Sequence, residues 1–170
     1  MRNIRKPDKV SLFLENAEKA ASGTHLLREK EKLAGRIMEL VKKDEQVYCP
    51  RATKLEKSAV AGLTALADDC SLATVTIEEV SAAIAETGSI IIMCDDGGAK
   101  TAQASLLPLR HVAIVPREKI FASLEDFFAK VSAPPPASIT FITGPSRTTD
   151  IELELAIGVH GPGRVDIIVV

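Results

Sequence analysis

The chain has few aromatic residues and no tryptophan, since aromatic side chains make up 4% of its 170 residues. A core without large rings has to be built from Ala, Val, Ile and Leu, which is typical of helices packed on a buried parallel sheet. The hydrophobic share of 46% and the charged share of 26% are ordinary for a globular protein and exclude a disordered chain. At this length we expect one domain, residues 1–170.

The chain also lacks a long apolar run and a recognisable signal sequence. The longest uninterrupted apolar stretch, around residues 90–94, is too short to cross a bilayer. The first residues, "MRNIRKPDKV", carry charges and Pro7 where a signal peptide has its apolar segment. A net charge of −2 gives no general electrostatic reason to bind nucleic acid or an anionic membrane surface. We therefore expect a cytoplasmic protein whose partners include neither nucleic acid nor membrane.

Closely spaced metal ligands and nucleotide-binding motifs are missing. The three cysteines lie about 20 residues or more apart, at Cys49, Cys70 and Cys94. Iron–sulfur clusters and structural zinc need closely spaced thiolates, so we expect no cluster ligands in this chain. His25 and His111 have no metal-ligand spacing relative to His160, which predicts no metal site. No G-x-G-x-x-G or G-x-x-x-x-G-K-[ST] is present, so the sequence identifies no cofactor.

Hydrophobic periodicity divides the chain into alternating helices and strands. The first 45 residues have helical patterns in "VSLFLENAEKAA" and "HLLREKEKLAGRIMELVKK". Further helical patterns cover residues 53–69, 76–86, 99–108 and 118–131. Strand patterns occur in "QVYC", "LATV", "SIIIMC", "HVAIV", "ITFI" and "RVDIIVV". In the helix predicted over 76–86, Thr76 and Glu79 supply a capping box and Thr87-Gly88 the end.

This alternation predicts an α/β fold, with a mostly parallel sheet, helices on both of its faces, and a helical amino-terminal segment over residues 1–45. The last strand follows its predecessor closely, so an antiparallel arrangement stays open for it. In open α/β sheets ligands usually bind at the carboxyl ends of the parallel strands. Three polar stretches of the sequence are candidates to reach that edge.

The first polar stretch is "AETGS", which contains Glu86. One interpretation is a helix that ends with Gly88 in the left-handed conformation. The other makes Glu86 a base, a nucleophile or a hydrogen-bond acceptor in a site. The sequence leaves both interpretations open.

The second polar stretch is "FITGPSRTTDIE". Gly144 lets the backbone approach a ligand, and Arg147 can hold a carboxylate or phosphate through paired hydrogen bonds. The alternative is that the hydroxyl groups cap a short helix beginning near Thr149 and Asp150. Capping uses one or two such residues, not five, which favours a site. Asp150 and Glu152 are two residues apart and face opposite ways on a strand, so they form no obvious carboxylate pair.

The third polar stretch is "GVHGPGR", in which His160 lies between glycines that clear space around it. An imidazole in this setting can titrate near neutral pH or coordinate a ligand. The alternative is a histidine that only makes structural hydrogen bonds. The nearness of the second stretch supports the functional interpretation.

Three segments together resemble the LUD-domain family of the lactate utilization protein C type. They are "AAIAETGSIII", "SLLPLRHVAIV" and "ITFITGPSRTTDIELELAIGVHGPGRVDIIVV", and the resemblance runs from about residue 76 to residue 170. It implies a fold similar to that of the ribose-5-phosphate isomerase and coenzyme A transferase superfamily. Glu86 and His160 match motif positions that we interpret as catalytic. The other matching positions, interpreted as ligand-binding, are Thr87, Gly88, Gly144, Ser146, Arg147, Thr148, Asp150, Glu152, Gly158 and Gly161.

The resemblance also implies a role in the oxidation of L-lactate to pyruvate, beside an iron–sulfur subunit and a cysteine-rich-domain subunit. Our leading hypothesis is a subunit that binds a small anionic ligand or a cofactor in this system. One alternative is a stand-alone transferase or isomerase that uses Glu86, since a glutamate is the nucleophile in related coenzyme A transferases. Another is a scaffold without catalytic activity.

Overall fold

The computed structural model describes residues 8–50, 52–94, 104–131, 134–149, 155–157 and 161–170. The helices are α1 (Lys9–Lys19), α2 (Leu33–Leu40), α3 (Lys54–Ala59) and α4 (Leu124–Phe128). The strands are β1 (Gly23–Leu26), β2 (Val47–Tyr48), β3 (Leu66–Ala67), β4 (Val75–Glu79), β5 (Ala82–Ile84), β6 (Ser89–Cys94), β7 (Arg110–Val115), β8 (Ile120–Phe121), β9 (Ser138–Ile142), β10 (Arg147–Thr149), β11 (Leu155–Ile157) and β12 (Arg164–Val169). None of the described helices is long and apolar enough to cross a membrane.

Six strands form a parallel sheet in the order β1-β12-β7-β4-β2-β3. The last strand, β12, runs parallel to both of its neighbours, β1 and β7, which excludes the antiparallel arrangement left open above. Its side chains are buried on both faces from Val165 to Val169. Burial on both faces is the pattern of a central strand in a covered parallel sheet. The predicted fold class is confirmed.

A second sheet of four strands, in the order β8-β5-β6-β9, was not predicted. It packs with α1 on one face of the parallel sheet, where Phe13 and Ile90 meet Ala113 and Ile167 in one apolar cluster. Helices α2 and α3 cover the opposite face of the parallel sheet. Helix α4 covers the outer face of the second sheet, around Phe127. The parallel sheet therefore has helices on both faces, but shares one face with a second sheet.

The helix predicted over residues 76–86 is wrong, because this segment forms β4 and β5. Thr76 caps no helix; its side chain is fully buried in β4. Ala82 and Ile84 pack towards α4, whereas Ala83 and Ala85 pack towards α1. Small side chains buried on both faces let the layers approach closely, and this burial overrides the helix propensity of Ala and Glu.

Three other predicted helices are too long. Residues 25 and 26 belong to β1, an edge strand of the parallel sheet, so the amino-terminal segment is not wholly helical as expected, and α2 begins only at Leu33. In the segment 53–69, α3 ends at Ala59 and β3 follows. In the segment 118–131, β8 precedes α4. The predicted helix over 99–108 lies partly outside the described residues, and residues 104–106 are helical.

Candidate functional site

The first motif, with Glu86, forms the tight turn between the antiparallel strands β5 and β6. Gly88 has a φ of +68° and donates its N–H to the Ile84 carbonyl oxygen at 2.9 Å. A positive φ favours glycine because other residues meet a steric penalty there. The alternative in which a helix ends at Gly88 is therefore wrong, although Gly88 has the left-handed conformation which that alternative required.

The Glu86 carboxylate holds the amino terminus of α4. Its Oε1 accepts the N–H of Leu124, the first residue of α4, at 2.7 Å. Ser123 Oγ accepts the N–H of Asp126 in the same helix turn at 3.1 Å. The two side chains thus satisfy backbone donors that a helix start leaves without partners. Glu86 is nevertheless exposed to solvent, and its predicted catalytic role stays a prediction.

Helix α1 packs directly against this turn. Asn16 Nδ2 donates hydrogen bonds to the carbonyl oxygens of Ala85, at 2.8 Å, and Glu86, at 3.1 Å. A Cβ atom on Gly88 would lie 2.3 Å from the backbone nitrogen of Ala17, closer than nonbonded atoms can approach. Gly88 is therefore required twice, by its φ and by its contact with α1.

A chain of hydroxyl groups joins the first motif to the second. Thr87 Oγ1 lies 2.7 Å from Ser89 Oγ, which lies 2.7 Å from Thr143 Oγ1. Thr143 precedes Gly144, which has a φ of +72°, and a Cβ on Gly144 would lie 1.9 Å from the carbonyl oxygen of Ala20. Both motifs therefore pack against the carboxyl-terminal end of α1, the first at Asn16 and Ala17 and the second at Ala20, which follows the helix.

The second motif also meets the third. Ser146 donates its N–H to the Pro162 carbonyl oxygen at 2.9 Å, and a Cβ on Gly161 would lie 3.3 Å from Ser146 Cβ. Pro162 lies two residues before the start of β12, so this contact lies at the amino end of the parallel sheet. We expected the polar stretches to lie at the carboxyl ends of the parallel strands, and this is wrong for the contact between Ser146 and Pro162. The third motif lies in the connection that enters β12, not in a loop that leaves a strand.

Arg147 and Thr148 lie in β10, which pairs with β11 as an antiparallel ribbon. Thr149 belongs to the same strand, and the short helix that was the alternative for these hydroxyl groups would lie outside the described residues. Arg147 is exposed and makes no ion pair with a described residue. The remaining predicted site residues, Asp150, Glu152, Gly158 and His160, lie outside the described residues, and their roles stay predictions.

The sequence analysis missed a buried ionic cluster near the amino ends of β7 and β12. Asp166 is 1% exposed and lies 2.7 Å from Arg110 Nε and 2.9 Å from Arg164 Nε. His25 Nε2 lies 3.9 Å from the same carboxylate. Burial first, then the charge of Arg36, lowers the pKa of His25 despite the opposing effect of Asp166. The signal available in the sequence was charged residues placed inside strongly apolar strands.

A second buried group was also missed, on the face of the parallel sheet that meets the second sheet. Glu78, 2% exposed, accepts a hydrogen bond from Ser105 Oγ at 2.5 Å. His111 Nε2 lies 2.9 Å from Glu78 Oε1, but its N–H is not aligned for a hydrogen bond. Within the described ranges, no three His, Cys, Asp or Glu side chains are grouped to hold a metal ion.

Comparison with known proteins identifies the family. The lactate utilization protein C of Macrococcus caseolyticus is 36% identical over 102 residues, which are 56% of this chain and 42% of that protein. The lactate utilization protein C 1 of Bacillus mycoides is 38% identical over 93 residues, 51% of this chain and 39% of that protein. The aligned part of the chain thus spans about two fifths of these relatives.

A solved structure shows the same fold. A DUF162 family protein from Deinococcus radiodurans superposes with a TM-score of 0.66, at 20% sequence identity and 95% coverage of both chains. The family model of the LUD domain matches residues 61–170, which is well over half of the chain. The chain therefore belongs to the LUD domain family.

Proposed function

We propose that this chain is a subunit of a lactate utilization system and binds a small anionic ligand where its three motifs meet. We call this place the motif junction, made of residues 86–89, 143–147 and 161–162. The names of its relatives support the lactate role. The observation that carries the proposal is the convergence of the motifs through the Thr87–Ser89–Thr143 hydroxyl chain and the contact between Ser146 and Pro162.

The groups at the motif junction suit an anion. Arg147 presents an exposed guanidinium with no described ion-pair partner. A guanidinium matches the two oxygens of a carboxylate such as lactate or pyruvate better than an ammonium does. Thr87 and Thr143 add hydroxyl groups that can donate hydrogen bonds to an anion. Of the described acids, only Glu86 belongs to the motif junction, and its Oε1 is already bonded to Leu124.

The positions of the cysteines are consistent with iron–sulfur clusters being held by the iron–sulfur and cysteine-rich-domain partners and not by this chain. Cys49 and Cys94 are both buried, but they pack into apolar clusters on opposite faces of the parallel sheet. Two thiolates separated by the sheet cannot ligate one cluster. Because lactate oxidation releases electrons, we propose that the partner subunits supply the electron carriers.

The use of Glu86 by α4 favours a binding role over the alternative of a transferase nucleophile. A nucleophilic carboxylate has to be free to form a covalent bond. Attack by Oε2 would leave Oε1 on Leu124, but as the carbonyl oxygen of an ester, which is a weaker acceptor for the first N–H of α4 than a charged carboxylate. Glu86→Gln separates the binding role from the nucleophilic role. The amide oxygen can still accept the hydrogen bond from Leu124, but an amide is not a nucleophile.

A thermal-shift screen tests the proposed function, with L-lactate, pyruvate, phosphate, flavins, nucleotides and coenzyme A as probes. A ligand at 100 times its dissociation constant stabilises the folded state by about 2.7 kcal/mol. We expect one of the small anions to raise the melting temperature. If all of these probes leave it unchanged, the proposed anion site is contradicted.

Arg147→Ala then tests the cation, with Arg28→Ala as the matched control, since Arg28 is also exposed. A charge-assisted hydrogen bond contributes about 1.5–3 kcal/mol, so calorimetric titration should show affinity weakened by about ten- to a hundredfold. The free energy of unfolding should change by less than about 0.5 kcal/mol. Unchanged affinity with a large loss of stability would make Arg147 a structural residue.

A further inference from the structure

A cavity of about 350 Å³ lies between the second sheet and α4. Its apolar walls are Met93 of β6, Phe121 of β8, and Phe127 and Val131 at α4 and its end. The two rings stand edge to face with their centroids 5.6 Å apart, and Phe127 is 2% exposed, so this wall is held in place by packing. Prolines 134 and 136 line another side of the cavity.

The polar groups at this cavity are hydrogen-bond donors. Ser81 Oγ accepts the N–H of Met93 at 2.9 Å, which leaves its O–H hydrogen for another acceptor. Lys130 lines the cavity, is exposed, and has no ion pair with a described residue. Among the lining residues that the structure describes there is no carboxylate. The cavity therefore offers one positive charge and one hydroxyl donor beside an apolar interior, which is complementary to an anionic head on an apolar body.

We propose that this cavity binds an amphipathic carboxylate, with its hydrocarbon part against Phe121, Phe127 and Met93 and its carboxylate at Lys130 and Ser81. A volume of about 350 Å³ suits a small ligand of roughly ten non-hydrogen atoms. It lies at the lower end of the range for small-molecule pockets. An eight-carbon carboxylate has this size and this combination of groups.

This site is separate from the motif junction. Ser81 and Met93 lie at the end of the β5–β6 hairpin that is remote from the Glu86 turn. From Ser89 to Met93 the strand advances about 14 Å, at about 3.4 Å per residue. The proposal therefore does not depend on the proposed lactate role, and either can fail without the other.

Titration of the full chain with octanoate tests the proposal, with octan-1-ol as the uncharged probe of the same length. We expect saturable octanoate binding, with amide NMR shifts at Ser81, Met93 and Phe127, and weaker binding of the alcohol. Lys130→Glu replaces an attraction by a repulsion and should weaken octanoate binding by about three- to tenfold, as expected for a solvent-exposed charge. Lys57→Glu, at an exposed position of α3 across the parallel sheet, is the matched control and should leave affinity unchanged.

Three outcomes would overturn the proposal. The first is no saturable octanoate binding up to about 10 mM, a concentration that detects even millimolar affinity. The second is an equal loss of affinity in the two lysine variants, which would show a general effect of net charge. The third is equal affinity for octanoate and octan-1-ol, which would show that the cavity does not recognise the carboxylate.

Discussion

Gly88→Ala isolates the contact between the first motif and α1, and we expect it to destabilise the protein strongly. A left-handed backbone costs a residue with a Cβ about 1–2 kcal/mol. The added Cβ would also lie 2.3 Å from the backbone nitrogen of Ala17 and 2.4 Å from the carbonyl carbon of Asn16. These are backbone atoms that cannot rotate away, so overpacking adds about 1–3 kcal/mol. Together the two effects predict a loss of about 2–5 kcal/mol in the free energy of unfolding.

Denaturation with urea measures this loss, and Gly35→Ala is the matched control. Gly35 lies within α2, and a Cβ there has no neighbour within 4 Å. Alanine in a helix interior should therefore stabilise the protein by about 0.5–1 kcal/mol. With a slope of about 2 kcal/mol per molar urea, the midpoint should fall by about 1–2.5 M for Gly88→Ala and rise slightly for the control.

Gly88→Asn separates the two causes, because asparagine tolerates the left-handed backbone better than alanine but adds the same Cβ. We expect this variant to remain strongly destabilised, since the collision with α1 persists. Recovery of wild-type stability in Gly88→Asn would refute the close contact between the motif and α1. Wild-type stability in Gly88→Ala would refute both the contact and the φ argument.

Three further predictions concern charge and metal content. The pKa of His25 in the folded state lies below its usual value of 6.5, so the unfolded chain binds the proton more readily. The free energy of unfolding should therefore fall as the pH drops below about 6.5. Urea titrations across that range should show a smaller loss for His25→Asn than for the wild type. Asp166→Ala leaves the buried Arg110 without its nearest carboxylate and should lower the free energy of unfolding by about 3–5 kcal/mol in urea denaturation. Glu15→Ala, at an exposed ion pair, should lower it by less than about 1 kcal/mol. Similar losses in the two variants would contradict the burial argument. The purified chain should contain no stoichiometric iron by elemental analysis, and about one cluster per chain, lost on mutation of any cysteine, would contradict this.

The strands with dense β-branched residues were predictable from the sequence, and the second sheet was not. The runs "SIIIMC" and "HVAIV" predicted β6 and β7 because continuous apolar stretches of this length are typical of buried strands. In β5 the residues Ala82 to Ile84 have the composition of a helix, and only their burial between α1 and α4 makes them a strand. That burial depends on distant segments which local periodicity does not contain.

The residues of the candidate site could be selected from the sequence, but their packing against α1 could not. Glycines beside hydroxyl groups and an arginine marked the motifs, and the described parts of these motifs do meet. Nothing in the sequence showed that Gly88 and Gly144 pack on α1, because the resemblance to the family begins well after that helix. The role of Asn16, which bonds two carbonyl oxygens of the Glu86 turn, likewise depends on a contact across 69 residues of sequence.

Amide NMR of the labelled chain during titration with L-lactate, pyruvate and phosphate tests the central claim most directly. If the three motifs form one anion site, a single probe should shift the amides of Thr87, Ser89, Ser146 and Gly161 together, with one dissociation constant. Amides on the far side of the parallel sheet, such as that of Gly35 in α2, should stay unchanged. Shifts confined to one motif, or located away from the motif junction, would contradict a shared site, and so would the absence of any saturable shift with all three anions.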